Sequence, residues 1–110
     1  YGDGTQSRVF CHVADAINAA TSLMKTEKSI GEVFNVGGVG EISIKDLAKK
    51  VIEQTNSNSK IEFVPYENAY SKGYEDMARR VPSIDKVSNF LNWQPQKSLT
   101  HIINDVANSI

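Results

Sequence analysis

The stretch "EVFNVGGVGEISIKDLAKKV", residues 32–51, decides how the chain folds. Its first five residues are largely apolar and rich in strand formers, so 32–36 is expected as a strand. Three glycines within residues 37–40 then break the pattern. Beyond them Ile44, Leu47, Ala48, Val51 and Ile52 recur at i, i+3, i+4, i+7 and i+8, one apolar stripe on a helix over 44–55. Ser43, with Asp46 three residues on, makes a start resembling a capping box. Strand, glycine turn and helix in succession point to an α/β fold.

The same stretch imitates a cofactor site. Gly38-Val39-Gly40-Glu41-Ile42-Ser43 is one glycine short of the dinucleotide fingerprint G-x-G-x-x-G, and Glu62 and Glu67 lie about where its ribose-binding acid belongs. The details disagree. A true fingerprint starts its helix inside the glycines, so that the helix N-terminus meets the pyrophosphate. Here the best cap, Ser43, follows the last glycine and also replaces the third one. Glu62 falls inside an expected strand, and Glu67 comes after Pro65. The glycines are read as a structural turn.

Working outward, "SRVFCHV" alternates as a short strand after the Gly2-Asp3-Gly4 turn. Asp15 caps or starts a helix over 15–27 whose Ile17, Ala20 and Met24 share a face. "KIEFVPY" is a further strand, ended by Pro65. Residues 66–82 lack a period and form a long loop holding three tyrosines, Gly73 and the Arg79-Arg80 pair. A short helix follows, with Ser83 at its N-cap and Asn92 ending it in the left-handed conformation. Pro95 stops it, and Ser98 opens a last helix that buries Leu99, Ile102, Ile103, Val106 and Ala107. The sum is one α/β domain, residues 1–110, with about three short strands and four helices.

Composition narrows the function. The net charge is −1, with no basic excess for nucleic acid or an anionic membrane. No apolar run nears the roughly 20 residues of a membrane helix. Cys11 is the single cysteine, so no internal disulfide forms, which fits a reducing, cytoplasmic setting. His12 and His101 are far apart, and Cys11 has no partner cysteine, so no metal site is expected. On a strand Cys11 and His12 point to opposite faces, which excludes a Cys–His nucleophile and leaves Cys11 as a core residue. Arg8, Arg79 and Arg80 carry forks of donors suited to diphosphate oxygens, and Tyr74 can bond a phosphate or pack on a sugar or base. For each arginine the plain alternative is a salt bridge, with Glu75 and Asp76 at hand.

Three motifs then change the odds. "YGDGTQSRVFCHVAD" resembles D-G-x-Q-x-R-x-F-x-x-V-x-D of the NAD-dependent nucleotide-sugar epimerases, dehydratases and decarboxylases, in the extended short-chain dehydrogenase/reductase superfamily. "GEVFNVGG" with "SIKDLAKKV" resembles the family's G-x-x-(F/Y)-N-(V/I)-G and its helix. "KGYEDMARRVPSIDKVSNFLNWQP" resembles G-Y-x-D-x-x-x-R-x-P-(D/S)-I followed by L-G-W-x-P. Order and spacing match across essentially the whole chain. The Gly-Tyr and Pro-Ser-Ile details are most similar to bacterial UDP-glucuronic acid decarboxylases and to epimerases of the UDP-glucose 4-epimerase kind. Asn92 departs from the glycine of L-G-W-x-P, and Ser83 from the commoner aspartate.

The resemblance implies a C-terminal substrate-binding lobe of an extended Rossmann-type enzyme. Its N-terminal half, absent here, would bind NAD and carry the Tyr-x-x-x-Lys pair, which this sequence lacks. The opening residues, with no initiator Met and turn chemistry at once, fit a piece of a longer chain. By position Arg8 matches the arginine on the nucleotide diphosphate, and Arg80 a second one near diphosphate and sugar, with an assisting role in the decarboxylase branch. Tyr74 matches a nucleotide-contacting tyrosine, and Arg79 is unmatched. The resemblance thus implies a UDP-sugar or related nucleotide sugar as ligand and no NAD on this piece. It also implies a homodimer in the parent and no activity for the piece alone. The competing readings are a self-contained nucleotide-binding module using 37–40 and an interaction domain presenting 66–82.

Overall fold

Ser43 closes a strand and opens a helix. Its hydroxyl accepts the Asp46 N–H at 3.0 Å and caps α2, Ile44–Gln54, the helix expected from the apolar stripe. The computed structural model describes residues 1–71, 73 and 76–110. Among them the other elements are β1 (Ser7–Val9), α1 (Val13–Met24), a 3-10 turn (Glu27–Ser29), β2 (Glu41–Ser43), α3 (Tyr66–Ala69), β3 (Arg79–Arg80), α4 (Asp85–Leu91) and α5 (Leu99–Ala107). The architecture is α/β.

The sheet is mixed, in the order β2-β1-β3. β1 runs antiparallel to β2, with Ser7 opposite Ser43 and Val9 opposite Glu41, and parallel to β3, with Ser7 opposite Arg79 and Arg8 opposite Arg80. β1 is the expected strand, shortened. The other two lie elsewhere than expected. Residues 32–36 keep the strand pattern, with Phe34 and Val36 half-buried and Val33 and Asn35 exposed. They pair with no strand among the described residues, and a side chain, Lys86 Nζ, bonds the Val33 carbonyl at 2.9 Å. Residues 60–66 likewise form no strand, although the Val64 carbonyl accepts the Gly2 N–H at 2.7 Å. β3 and α3 instead fall inside the segment expected as a loop. Periodicity reports which face of a segment is apolar, whereas a strand also needs a partner backbone.

The core lies between α1 and α4. Ala19 and Val87 are fully buried with Trp93, and Leu23, Phe34, Val36, Ile84 and Leu91 pack around them. α4 ends in Asn92 at φ 51°, ψ 42°, the expected left-handed cap, and Ser98 caps α5 as expected. Ile84 rather than Ser83 holds the N-cap position of α4, and the Ser83 hydroxyl donates to Asp85 Oδ2 at 2.8 Å. In α5 Ile103 is buried, while Val106 and Ala107 face outward.

α1 departs most from the sequence reading. Its cap is His12, whose Nδ1 accepts the Ala14 N–H at 3.0 Å, so its proton sits on Nε2 and is donated to Asp105 at 2.9 Å. Asp15 is buried instead, accepting the main-chain N–H groups of Gln96 (3.1 Å) and Lys97 (2.9 Å). The helix turns Asp15 and Ala19 inward, because the small Ala19 lets Val87 of α4 approach. The stripe of Ile17, Ala20 and Met24 is left exposed, Met24 at 86%. The radius of gyration is 16.9 Å, against about 13 Å for a compact domain of this length. The chain exposes 8075 Å², where a folded monomer of this size exposes about 6,000 Å².

Candidate functional site

β1 is the middle strand, and its alternation divides the charged residues between two faces. Ser7 and its partner Arg79 share one face. Val9 lies on that face too, so its partner Glu41 joins them. The Arg79 fork donates to both Glu41 oxygens at 2.9 Å, and the Ser7 hydroxyl donates to Glu41 Oε1. These bonds pull the Glu41 carboxyl below its ordinary range and push the Arg79 guanidinium up. Arg79 sits at the surface, as expected for the unmatched arginine, at 66% side-chain exposure.

Arg8 and Arg80 occupy the other face, in register. The structure thus brings together two residues 72 apart in the chain. Arg8 is the more enclosed, its side chain 17% exposed. Its Nη1 donates to the Ser7 carbonyl and its Nη2 to Asp76 Oδ1, both at 2.7 Å. Asp76 is itself held: Oδ1 accepts the Met77 N–H at 2.8 Å, and the Tyr66 hydroxyl reaches Oδ2 at 3.4 Å. Arg80 is exposed and makes no ion pair among the described residues. Asp76 balances the first charge, so among the described residues this face keeps one cation without an ion-pair partner. Tyr74 lies outside the described residues.

Tyr66 is the residue the sequence reading missed, whereas Asp76 is one of the salt-bridge partners it offered and is taken by Arg8. Asp76 stands inside the motif G-Y-x-D-x-x-x-R, but nothing in that motif names its partner 68 positions upstream. Tyr66 also lines a groove of about 960 Å³ with Gly2, Asp3, Phe63, Pro65 and Glu67. Neither Arg8 nor Arg80 lines this groove, and Tyr66 is the link between it and the arginine face.

The glycine turn packs on the exit from β1. A methyl group on Gly38 would stand 1.9 Å from the Phe10 carbonyl oxygen, and one on Gly37 2.8 Å from Pro82. Pro82 is two residues past Arg80, so the turn buttresses both flanks of the arginine face. Cys11 is half-buried, and desolvation together with the nearby Asp15 charge raises its thiol pKa. His12 caps α1, and His101 accepts the Ser98 N–H in the capping box of α5, so the two histidines serve separate helix ends. Among the described residues no group of three His, Cys, Asp or Glu could hold a metal. No described helix is long and apolar enough to cross a membrane.

Comparison with known proteins decides the family. The family model for GDP-mannose 4,6 dehydratase matches residues 1–106. The chain belongs to the NAD-dependent nucleotide-sugar epimerase/dehydratase family. Among curated members of that family, UDP-N-acetyl-alpha-D-glucosaminuronate decarboxylase of Bacillus cytotoxicus is 39% identical over 98 residues, 89% of this chain and 30% of the relative. UDP-glucuronic acid decarboxylase 4 of Arabidopsis thaliana is 38% identical over 99 residues, 90% of this chain and 20% of the relative. The chain therefore spans 20–30% of the length of these relatives. UDP-glucuronic acid 4-epimerase from Bacillus cereus, solved with UDP-glucuronic acid and NAD, superposes with a TM-score of 0.79 at 28% identity. That match covers 94% of this chain and 32% of the epimerase. dTDP-glucose 4,6-dehydratase from Bacillus anthracis, solved with NAD, shares the fold at a TM-score of 0.83 and 24% identity, over 98% of this chain and 32% of the dehydratase.

Proposed function

We propose that this chain is the C-terminal sugar-nucleotide-binding lobe of an NAD-dependent nucleotide-sugar epimerase, dehydratase or decarboxylase of the cytoplasm. In this reading it grips a UDP-type diphosphate through Arg8 and Arg80. The observation that carries it is the register of β1 against β3, which puts Arg8 opposite Arg80 on one face of the sheet. Adjacent like charges repel, and a diphosphate bridging them removes that repulsion while accepting charge-assisted bonds from both forks. Asp76 already balances Arg8, so Arg80 supplies the excess positive charge, and Tyr74 is assigned the nucleotide contact. The B. cereus epimerase, solved with a UDP-sugar, lends the ligand class.

NAD would bind to the rest of such an enzyme. Residues 37–40 do not fit its pyrophosphate: Gly38 is in contact with the Phe10 carbonyl, and α2 starts only at Ile44. The exposed stripe on α1 and the unpaired segment 32–36 are assigned to packing against that missing half. The large exposed area and the small core agree with this, and the chain alone is expected to be inactive.

The test is a parallel titration of the chain with UDP and with NAD, followed by amide NMR shifts. Shifts centred on Arg8 and Arg80 with UDP, and none with NAD, support the reading. Shifts at Gly38 and Gly40 with NAD, or no response to UDP, overturn it.

A further inference from the structure

We infer that Asp76 is a positioning residue for anion binding: it holds the Arg8 fork in the orientation that meets the diphosphate. The inference rests on the function proposed above. Asp76 would be a poor neighbour for an anion on charge alone, since a carboxylate at 2.7 Å from Nη2 offsets the attraction of Arg8. Its geometry argues for a different role. Arg8 has two of its five N–H groups fixed, one by the Ser7 carbonyl behind it and one by Asp76. A fork fixed at two points has few orientations left to lose when a ligand arrives. Asp76 is in turn held by the Met77 N–H and the Tyr66 hydroxyl, and its side chain is 24% exposed. The support therefore runs from the groove edge at Tyr66 through Asp76 to Arg8, opposite Arg80 on the same face.

Charge and positioning predict opposite signs for Asp76→Asn. Removing a negative charge near an anion site strengthens anion binding if charge alone matters. Loosening the fork weakens it. Titration of the chain and its variants with UDP, and with inorganic pyrophosphate, separates the two. We expect Asp76→Asn to bind UDP about tenfold more weakly, in line with loss of a charged hydrogen bond, and Asp76→Glu to recover part of that loss. The Asp76→Asn effect should vanish in an Arg8→Ala background, because nothing remains to be positioned. Tyr66→Phe, which keeps the ring, should weaken UDP by about twofold and guards against an Asp76 variant that fails to fold. In the unliganded chain the slowed Arg8 Nη protons should be seen by NMR and lost in Asp76→Asn. Unchanged or tighter UDP binding by a folded Asp76→Asn overturns the inference alone. A wild-type chain that binds neither UDP nor pyrophosphate overturns the proposed function and this inference with it.

Discussion

Arg79 and Arg80 are neighbours in the chain and opposites in the sheet. Arg79 points to the face of Ser7 and Glu41, where a bidentate pair with Glu41 satisfies it and the Ser7 hydroxyl donates to the same carboxylate. Arg80 points to the face of Arg8, where the described carboxylate is already committed to another arginine. The two side chains share a type and an exposed setting, so accessibility does not separate them. One residue of strand alternation does. Arg79 has its carboxylate partner on its own face, and Arg80 has no ion-pair partner among the described residues.

The largest effect should come from breaking the frame that holds both faces. Gly38→Ala puts a methyl group 1.9 Å from the Phe10 carbonyl, so the exit from β1 must move. A loss of about 3 kcal/mol or more is expected in denaturant unfolding, or failure to fold. Next comes the contrast itself. Arg80→Ala should weaken UDP by about tenfold or more, and Arg79→Ala by less than about twofold, in paired titrations. Equal losses would erase the distinction between the faces. Ser43→Ala, in register with Ser7, removes the α2 cap and should cost about 1 kcal/mol of stability while leaving UDP affinity unchanged.

The smallest effect sharpens the comparison from the Arg79 side. Glu41 titrates below its ordinary range because Arg79 and then Ser7 bond its charged form. A depressed folded-state pKa contributes stability above the ordinary glutamate range, near about 4.3, and loses it as acid carries Glu41 through its lowered value. Arg79→Ala should raise the Glu41 carboxyl titration toward the ordinary value, read by carbon NMR. No movement would detach Glu41 from Arg79. Because the pair is exposed, the accompanying change in acid stability should be small and screened by salt.

Helices were legible where the sequence carried both a stripe and a cap. Ser43, Asn92 and Ser98 each sit where their side-chain chemistry put them, because a cap is a bond to backbone a few residues away. α1 was harder. Its apolar stripe was visible, but the face turned inward was chosen by the small Ala19 meeting Val87 and by two main-chain donors reaching Asp15. The strands were hardest. Residues 32–36 and 60–66 have the composition of strands but pair with no strand among the described residues, whereas Glu41–Ser43 and Arg79–Arg80 become strands because β1 lies between them. In the candidate site, the motifs singled out Arg8 and Arg80, and the sequence offered Asp76 as a salt-bridge partner without fixing which arginine takes it; it gave no route to Tyr66.

The sequence by itself determined the α/β class, the caps at Ser43, Asn92 and Ser98 and the three ordered motifs that carry the family, since each is written in local spacing. Only the tertiary structure decided which arginine faces which. The pairing of Arg8 with Arg80 and Asp76, and of Arg79 with Glu41, depends on the register of strands distant in sequence. A slip of one residue there would exchange the two faces.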